Sequence, residues 1–149
     1  MSGWALNGIV TLAAGNPFHI GEASDTQNNA GTWEYPNLVA GQPVHIPNPG
    51  PSLWFNTAAF SPSVLQYGTA DRDPVVGPGT HTANLSLFKT FKMPYSEHHS
   101  LQVRMEAFNA TNTPEFSNPG SSLGNSTFGV ITSTRINNRI LQFALKYRF

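Results

Sequence analysis

The sequence contains no cysteine, which excludes disulfide frameworks, thiolate zinc sites and thiol catalysis together and leaves the compartment unassigned by redox chemistry. Charge is scarce as well: 11% of residues are charged, against about a quarter in an average globular domain. Formal net charge is zero and Lys and Arg do not cluster, so the electrostatic footprint of a nucleic-acid binder is missing. No run approaches the roughly 18 consecutive apolar residues of a membrane-spanning helix. The start, Met1-Ser2-Gly3-Trp4, lacks the basic and apolar regions of a secretion signal. An exported protein needs such a signal, so if the chain is exported the expectation is a piece of a longer protein, or a reading frame begun at an internal methionine. There is no His-Glu-x-x-His and no phosphate-binding glycine loop. Neither enzymatic activity nor a cofactor is expected.

In place of charge the chain carries neutral polar residues and rings: 13 Gly, 12 Pro, abundant Asn, Ser and Thr, and 11% aromatics. Against that background side chains alternate with period two in four places, the signature of strands with two unlike faces. The clearest lies at the C-terminus, within about 137–149. Leu141, Phe143, Leu145, Tyr147 and Phe149 share one face there, and Gln142, Ala144, Lys146 and Arg148 the other. From Arg139 to Phe149, at about 3.3 Å per residue and a tilt of about 45°, the stretch spans roughly 25 Å, the height of the apolar band of an outer-membrane barrel.

The preceding strand, about 100–110, sets Leu101, Val103, Met105 and Ala107 against Gln102, Arg104 and Glu106, long polar side chains that require water. Before it, at about 82–92, Ala83, Leu85 and Leu87 alternate with Asn84, Ser86 and, less cleanly, Phe88; Lys89 falls on the apolar side near the strand end, where it can snorkel. The first strand, about 3–13, groups Trp4, Leu6, Val10 and Leu12, with Gly8 interrupting and Ile9 breaking the polar face.

One connection is short, Met93 to His99, and two are long, 20–80 and 110–136, both rich in Asn, Gly, Pro and Ser. About sixty residues without periodicity would be anomalous inside a compact soluble domain, but outer-membrane barrels pair short periplasmic turns with long extracellular loops. With Phe149 at the periplasmic rim, walking the strands backwards puts both long loops outside and the short turn inside. Four strands cannot close a barrel, for which eight is the smallest bacterial number. The predicted fold is therefore all-β: about four antiparallel C-terminal strands of an incomplete transmembrane outer-membrane barrel, with long extracellular loops.

The chain resembles TonB-dependent outer-membrane receptors, particularly the Oar-like group. The resemblance rests on Gly3-Trp4-Ala5-Leu6-Asn7-Gly8-Ile9-Val10 with Ala14-Gly15-Asn16-Pro17-Phe18, on Pro36-Asn37-Leu38-Val39, and on Trp54-Phe55-Asn56-Thr57-Ala58-Ala59-Phe60. It continues through Gly77-Pro78-Gly79, Asn84-Leu85-Ser86-Leu87-Phe88-Lys89-Thr90-Phe91, Arg104-Met105-Glu106-Ala107-Phe108-Asn109-Ala110-Thr111-Asn112, Phe128-Gly129-Val130-Ile131-Thr132-Ser133-Thr134-Arg135 and the terminal strand. It implies a 22-stranded parent barrel in the cell outer membrane of a Gram-negative bacterium, with a plug and a TonB-engaging segment that lie N-terminal to this chain. The implied partners are outer-membrane lipid, the remaining barrel and plug, TonB through those N-terminal parts, and an unidentified ligand. It further implies that Leu141, Phe143, Leu145, Tyr147 and Phe149 form the signal read by the barrel assembly machinery. That signal usually carries a glycine where this chain has Ala144.

Other candidates have plainer explanations. His98 and His99 are adjacent, but consecutive residues of an extended chain point apart, so a metal site is disfavoured. Asp71 and Asp73 flank Arg72 and read as a solvated turn with a local ion pair. Trp33, Tyr35, Trp54 and Phe55 are the candidate ligand contacts of the first long loop, where rings suit sugar-like surfaces; packing the loop into a compact lid is the favoured alternative. Asn84, Ser86, Gln102, Arg104, Glu106, Gln142, Lys146 and Arg148 are expected to face the lumen. The competing functional class is a soluble extracellular β-sandwich that binds carbohydrate or mediates adhesion.

Overall fold

The computed structural model describes residues 3–30, 34–94 and 96–149, without the side chains of residues 96 and 97. Alternation of apolar with polar residues, with β-branched and aromatic side chains prominent, favours extended chain. The four alternating stretches form one antiparallel sheet of β1 (Trp4–Ala13), β2 (Thr80–Met93), β3 (Ser96–Phe108) and β4 (Ile140–Arg148). Each strand pairs with its neighbour in the chain, an up-and-down order. No α-helix occurs among the described residues; a short 3-10 turn, Thr57–Ala59, starts where the Asn56 side chain accepts from the Ala58 N–H at 3.1 Å.

The register links rows across the sheet. Leu6 pairs with Leu87, Leu87 with Met105 and Met105 with Phe143. One step along, Asn7 pairs with Ser86, Ser86 with Glu106 and Glu106 with Gln142. Because directly opposed residues point to the same side, the first row belongs to an apolar face and the second to a polar one.

Strand ends differ from the alternation for local reasons. Thr80 and His81 extend β2 because they still pair with Ala13 and Leu12. At the other end the short connection is tighter than Met93 to His99: Met93 pairs with Ser96, after a register shift between Lys92 and Met93. β3 stops at Phe108 because Asn109 turns to a φ of 49°, in the left-handed region that side chains without a local hydrogen-bonding partner avoid. Buried Asn109 secures that corner: its Nδ2 donates to the carbonyls of Thr113 at 3.0 Å and Asn137 at 3.3 Å, while its Oδ1 accepts from the Thr113 N–H at 3.1 Å. The N–H of Arg139 donates to Asn112 Oδ1 at 3.0 Å, so this approach segment is tied to the corner and β4 begins only at Ile140.

Contacts divide the chain into a sheet unit (residues 1–13, 80–115 and 136–149) and a loop unit (14–79 and 116–135). In the loop unit the two long connections fold together. Two-residue strands pair Pro17–Phe18 with Val75–Val76, Asn37–Leu38 with Phe60–Ser61, and, in parallel, Gly21–Glu22 with Ser122–Leu123. Its core is Ile20, Phe55, Ala59, Phe60 and Val75. The Phe55 ring meets Phe128, Phe60 and Phe18 edge-on at centroid distances of 5.1, 5.7 and 6.4 Å, the arrangement that sets positive ring edges against negative faces. A Cβ on Gly68 would stand 1.8 Å from the Tyr35 carbonyl oxygen, so only glycine permits that backbone approach.

Candidate functional site

The sheet presents two faces of opposite chemistry. Trp4, Leu6, Val10 and Leu12 of β1, Leu85 and Phe91 of β2, Val103 and Met105 of β3, and Leu141, Phe143, Leu145 and Tyr147 of β4 share the apolar face and are all exposed. Phe143 and Leu145 are each 69% exposed and Phe149 93%. A patch this wide on one face demands apolar surroundings, since burying one Leu or Phe side chain gains about 1.5–3 kcal/mol. Leu141, Phe143, Leu145 and Tyr147 of the candidate assembly signal lie here on the edge strand, and Phe149 follows one residue past its end.

Two polar contacts punctuate this face toward the β2–β3 turn. Lys89 Nζ stands 4.9 Å from the Trp4 ring centroid and 5.5 Å from that of Phe91, a cation held over two π faces. His99 Nδ1 and the Tyr147 hydroxyl are 2.6 Å apart, and the Tyr147 and Phe149 rings stack at 6.5 Å. Polar tips on apolar bodies suit a lipid–water boundary.

On the opposite face Gln102 Nε2 donates to Thr90 Oγ1 at 3.3 Å and Ser86 Oγ to Glu106 Oε1 at 3.4 Å. Arg104 Nη1 lies 3.6 Å from Glu106 Oε1, and its guanidinium carbon sits 4.4 Å from the centroid of the Phe88 ring. Phe88, the irregular member of its alternation, is thus the platform for a cation. Gln142, Lys146 and Arg148 continue this face on β4 by register with Glu106, Gln102 and Ser100.

In the loop unit Tyr35 stands edge-on to His19 at 4.6 Å and lines, with His19, Arg72 and Asp73, a cavity of about 480 Å³. Trp54 is half-buried, its Nε1 donating to the Val76 carbonyl at 2.8 Å. Phe55 is fully buried and is a core residue. Trp33 lies outside the described residues. Periodicity gave no signal for two further features. One is a carboxyl cluster of Glu22, Asp25 and Glu34 around Thr26, assembled from residues without motif spacing. The other is Gly120-Ser121-Ser122-Leu123-Gly124, whose spacing matches the Gly-x-Ser-x-Gly nucleophile elbow. That motif requires a sharp strand-to-helix turn, whereas Ser122 pairs with Gly21 in a short parallel bridge and no helix follows.

A family model described as outer membrane beta barrel domain matches residues 1–142. No curated protein and no solved structure matches the chain.

Proposed function

The chain belongs to the outer membrane beta barrel domain family, and from that premise we propose that it supplies C-terminal wall strands of a TonB-dependent receptor of the Oar-like group, in the outer membrane of a Gram-negative bacterium. The observation that carries this reading is the two-faced open sheet: apolar rows exposed on one side, hydrogen-bonded polar rows on the other, and both long connections leaving from the end opposite the Met93–Ser96 turn. In this reading the apolar face meets lipid and the polar face lines the lumen, with the long loops outside. The ordered motifs from Trp4 to Phe149 support the receptor assignment.

β1 and β4 each pair on one side only within the sheet, and open edges are filled by further strands. The remaining barrel meets both, and before closure the β4 edge offers its backbone donors and acceptors to the assembly machinery by strand addition. Transport then belongs to the complete barrel with its plug. A soluble sandwich would cover its apolar rows with a second sheet; the exposure of Phe143 and Leu145 speaks against that alternative.

Single cysteines in place of Tyr67, in the first long connection, and Lys92, beside the short turn, test the orientation with a membrane-impermeant maleimide on intact cells. Labelling is expected at position 67 and, only after permeabilisation, at position 92; the reverse pattern refutes the orientation. Co-purification of the full-length protein with the periplasmic domain of TonB tests the receptor assignment separately. Absence of a complex sinks that assignment and leaves the barrel intact.

A further inference from the structure

The cavity of the loop unit draws its walls from three separated segments. The pairing of Phe18 with Val75 carries His19 beside the bend at Arg72 and Asp73, where His19 Nδ1 stands 3.4 Å from the Arg72 carbonyl oxygen. The Ala70 N–H donates to the Pro36 carbonyl at 3.0 Å and draws Tyr35 to the same place. Tyr35 is fixed there. Its carbonyl accepts from Gln27 Nε2 at 2.9 Å and Ser63 Oγ at 2.8 Å, the Gly68 backbone presses against it, and its ring stands edge-on to His19. Among the described residues His19, Tyr35, Arg72 and Asp73 line about 480 Å³, room for a small molecule between walls that are already in place.

Folding leaves the polar ends of these walls unspent. The local ion pair expected of Asp71-Arg72-Asp73 does not form: among the described residues the Arg72 guanidinium has neither an ion pair nor a hydrogen bond, and only its carbonyl is engaged. The Asp73 carboxylate and the Tyr35 hydroxyl likewise have no protein partner there. Successive side chains of an extended chain point apart, but the bend lets Arg72 and Asp73 both line the cavity. A planar fork of N–H donors therefore stands beside an acceptor-only carboxylate. Neither sign alone suits such a wall, since a bare anion meets Asp71 and Asp73 and a bare cation meets Arg72.

We propose that this cavity binds a small zwitterion, an amino acid or dipeptide with both termini free. Arg72 takes the carboxylate through paired N–H bonds, Asp73 takes the ammonium, and the Tyr35 ring packs against the body of the ligand. The site lies in the connection that the proposed orientation puts outside the cell, and it rests on that reading for access alone; binding by the purified protein does not depend on it.

Isothermal titration of the full chain in detergent micelles with alanyl-tyrosine, its N-acetyl derivative and its C-terminal amide reads the two charges separately. Saturable binding of the dipeptide is expected, with each capped probe weaker by about tenfold or more, the loss that follows from removing one charged hydrogen-bonding partner. Arg72→Gln is expected to erase the preference for the dipeptide over its amide and to keep the preference over the acetylated form; Asp73→Asn is expected to do the reverse. Both positions are exposed, and near-ultraviolet circular dichroism from the Phe55 cluster verifies that the variants fold. No saturable binding of the dipeptide, equal affinity for the three probes, or wild-type preferences in both variants overturns the proposal. So does tighter binding of the acetylated probe, which would identify a site for anions. Each of these failures leaves the barrel and the TonB complex, which are tested separately, untouched.

Discussion

Arg104 holds its guanidinium carbon 4.4 Å from the centroid of the Phe88 ring across the β2–β3 pair, and reaches Glu106 on its own strand at 3.6 Å. Both Arg104 and Glu106 keep some exposure, so water screens their ion pair and Glu106→Gln is expected to cost less than about 1 kcal/mol. A double-mutant cycle on Phe88 and Arg104 is expected to show coupling of about 0.5–1 kcal/mol. Urea denaturation of the chain in detergent measures both, and zero coupling would show that the ring is mere filler.

Lys89 lies on the apolar face between Trp4 and Phe91. Lys89→Met keeps the apolar stem and is expected to shift stability by less than about 1 kcal/mol. Lys89→Glu replaces attraction to the two rings with repulsion and shortens the reach to water, so a loss of about 2 kcal/mol or more is expected. Equal urea midpoints for the two variants would remove the ring sandwich from the account.

Asn109 combines a buried side chain, a φ of 49° and three side-chain hydrogen bonds. Asn109→Ala loses the bonds and keeps the backbone strain, for an expected cost of about 3 kcal/mol. Asn109→Gly relieves the strain, and is expected to be less costly by about 1 kcal/mol. The order of the two urea midpoints is the check; alanine the milder change would contradict it.

Phe55 and Tyr35 separate core from surface in the loop unit. Phe55→Ala is expected to cost about 3–5 kcal/mol, with loss of near-ultraviolet circular dichroism from its ring cluster. Tyr35→Ala would open one wall of the cavity beside His19 and leave that cluster in place. Loss of the same dichroism in both variants would mean that the unit has no separable core.

Gly68→Ala sets a methyl 1.8 Å from the Tyr35 carbonyl, a clash between backbones that no rotamer change relieves. Proteolysis within residues 60–70 is expected to accelerate, whereas Gly41→Ala, where a Cβ meets nothing within 4 Å but φ is 78°, is expected to cost only the local strain of about 1 kcal/mol. Equal cleavage in both would show that strain, not contact, governs this backbone.

Pattern alone determined the four strands, the face to which Leu6, Leu87, Met105 and Phe143 belong, and the single short connection, because a pleated strand alternates its side chains with period two whatever surrounds it. Strand ends escaped that logic: Thr80 and His81 join β2 through their partners on β1, and Ile140 starts β4 because Asn109 and Asn112 hold the residues before it. The loop unit escaped it further. Phe55 and Phe128, or Glu34 and Thr26, meet through turns that have no period, and whether a ring or a carboxyl in such a segment faces water or a neighbour is settled by contacts between distant residues. Tertiary structure alone made Phe55 core and gave Phe88 a cation to carry. The terminal strand stands at the meeting point of both kinds of information: its alternation is local, while the edge it leaves open exists only because β3 covers the other side.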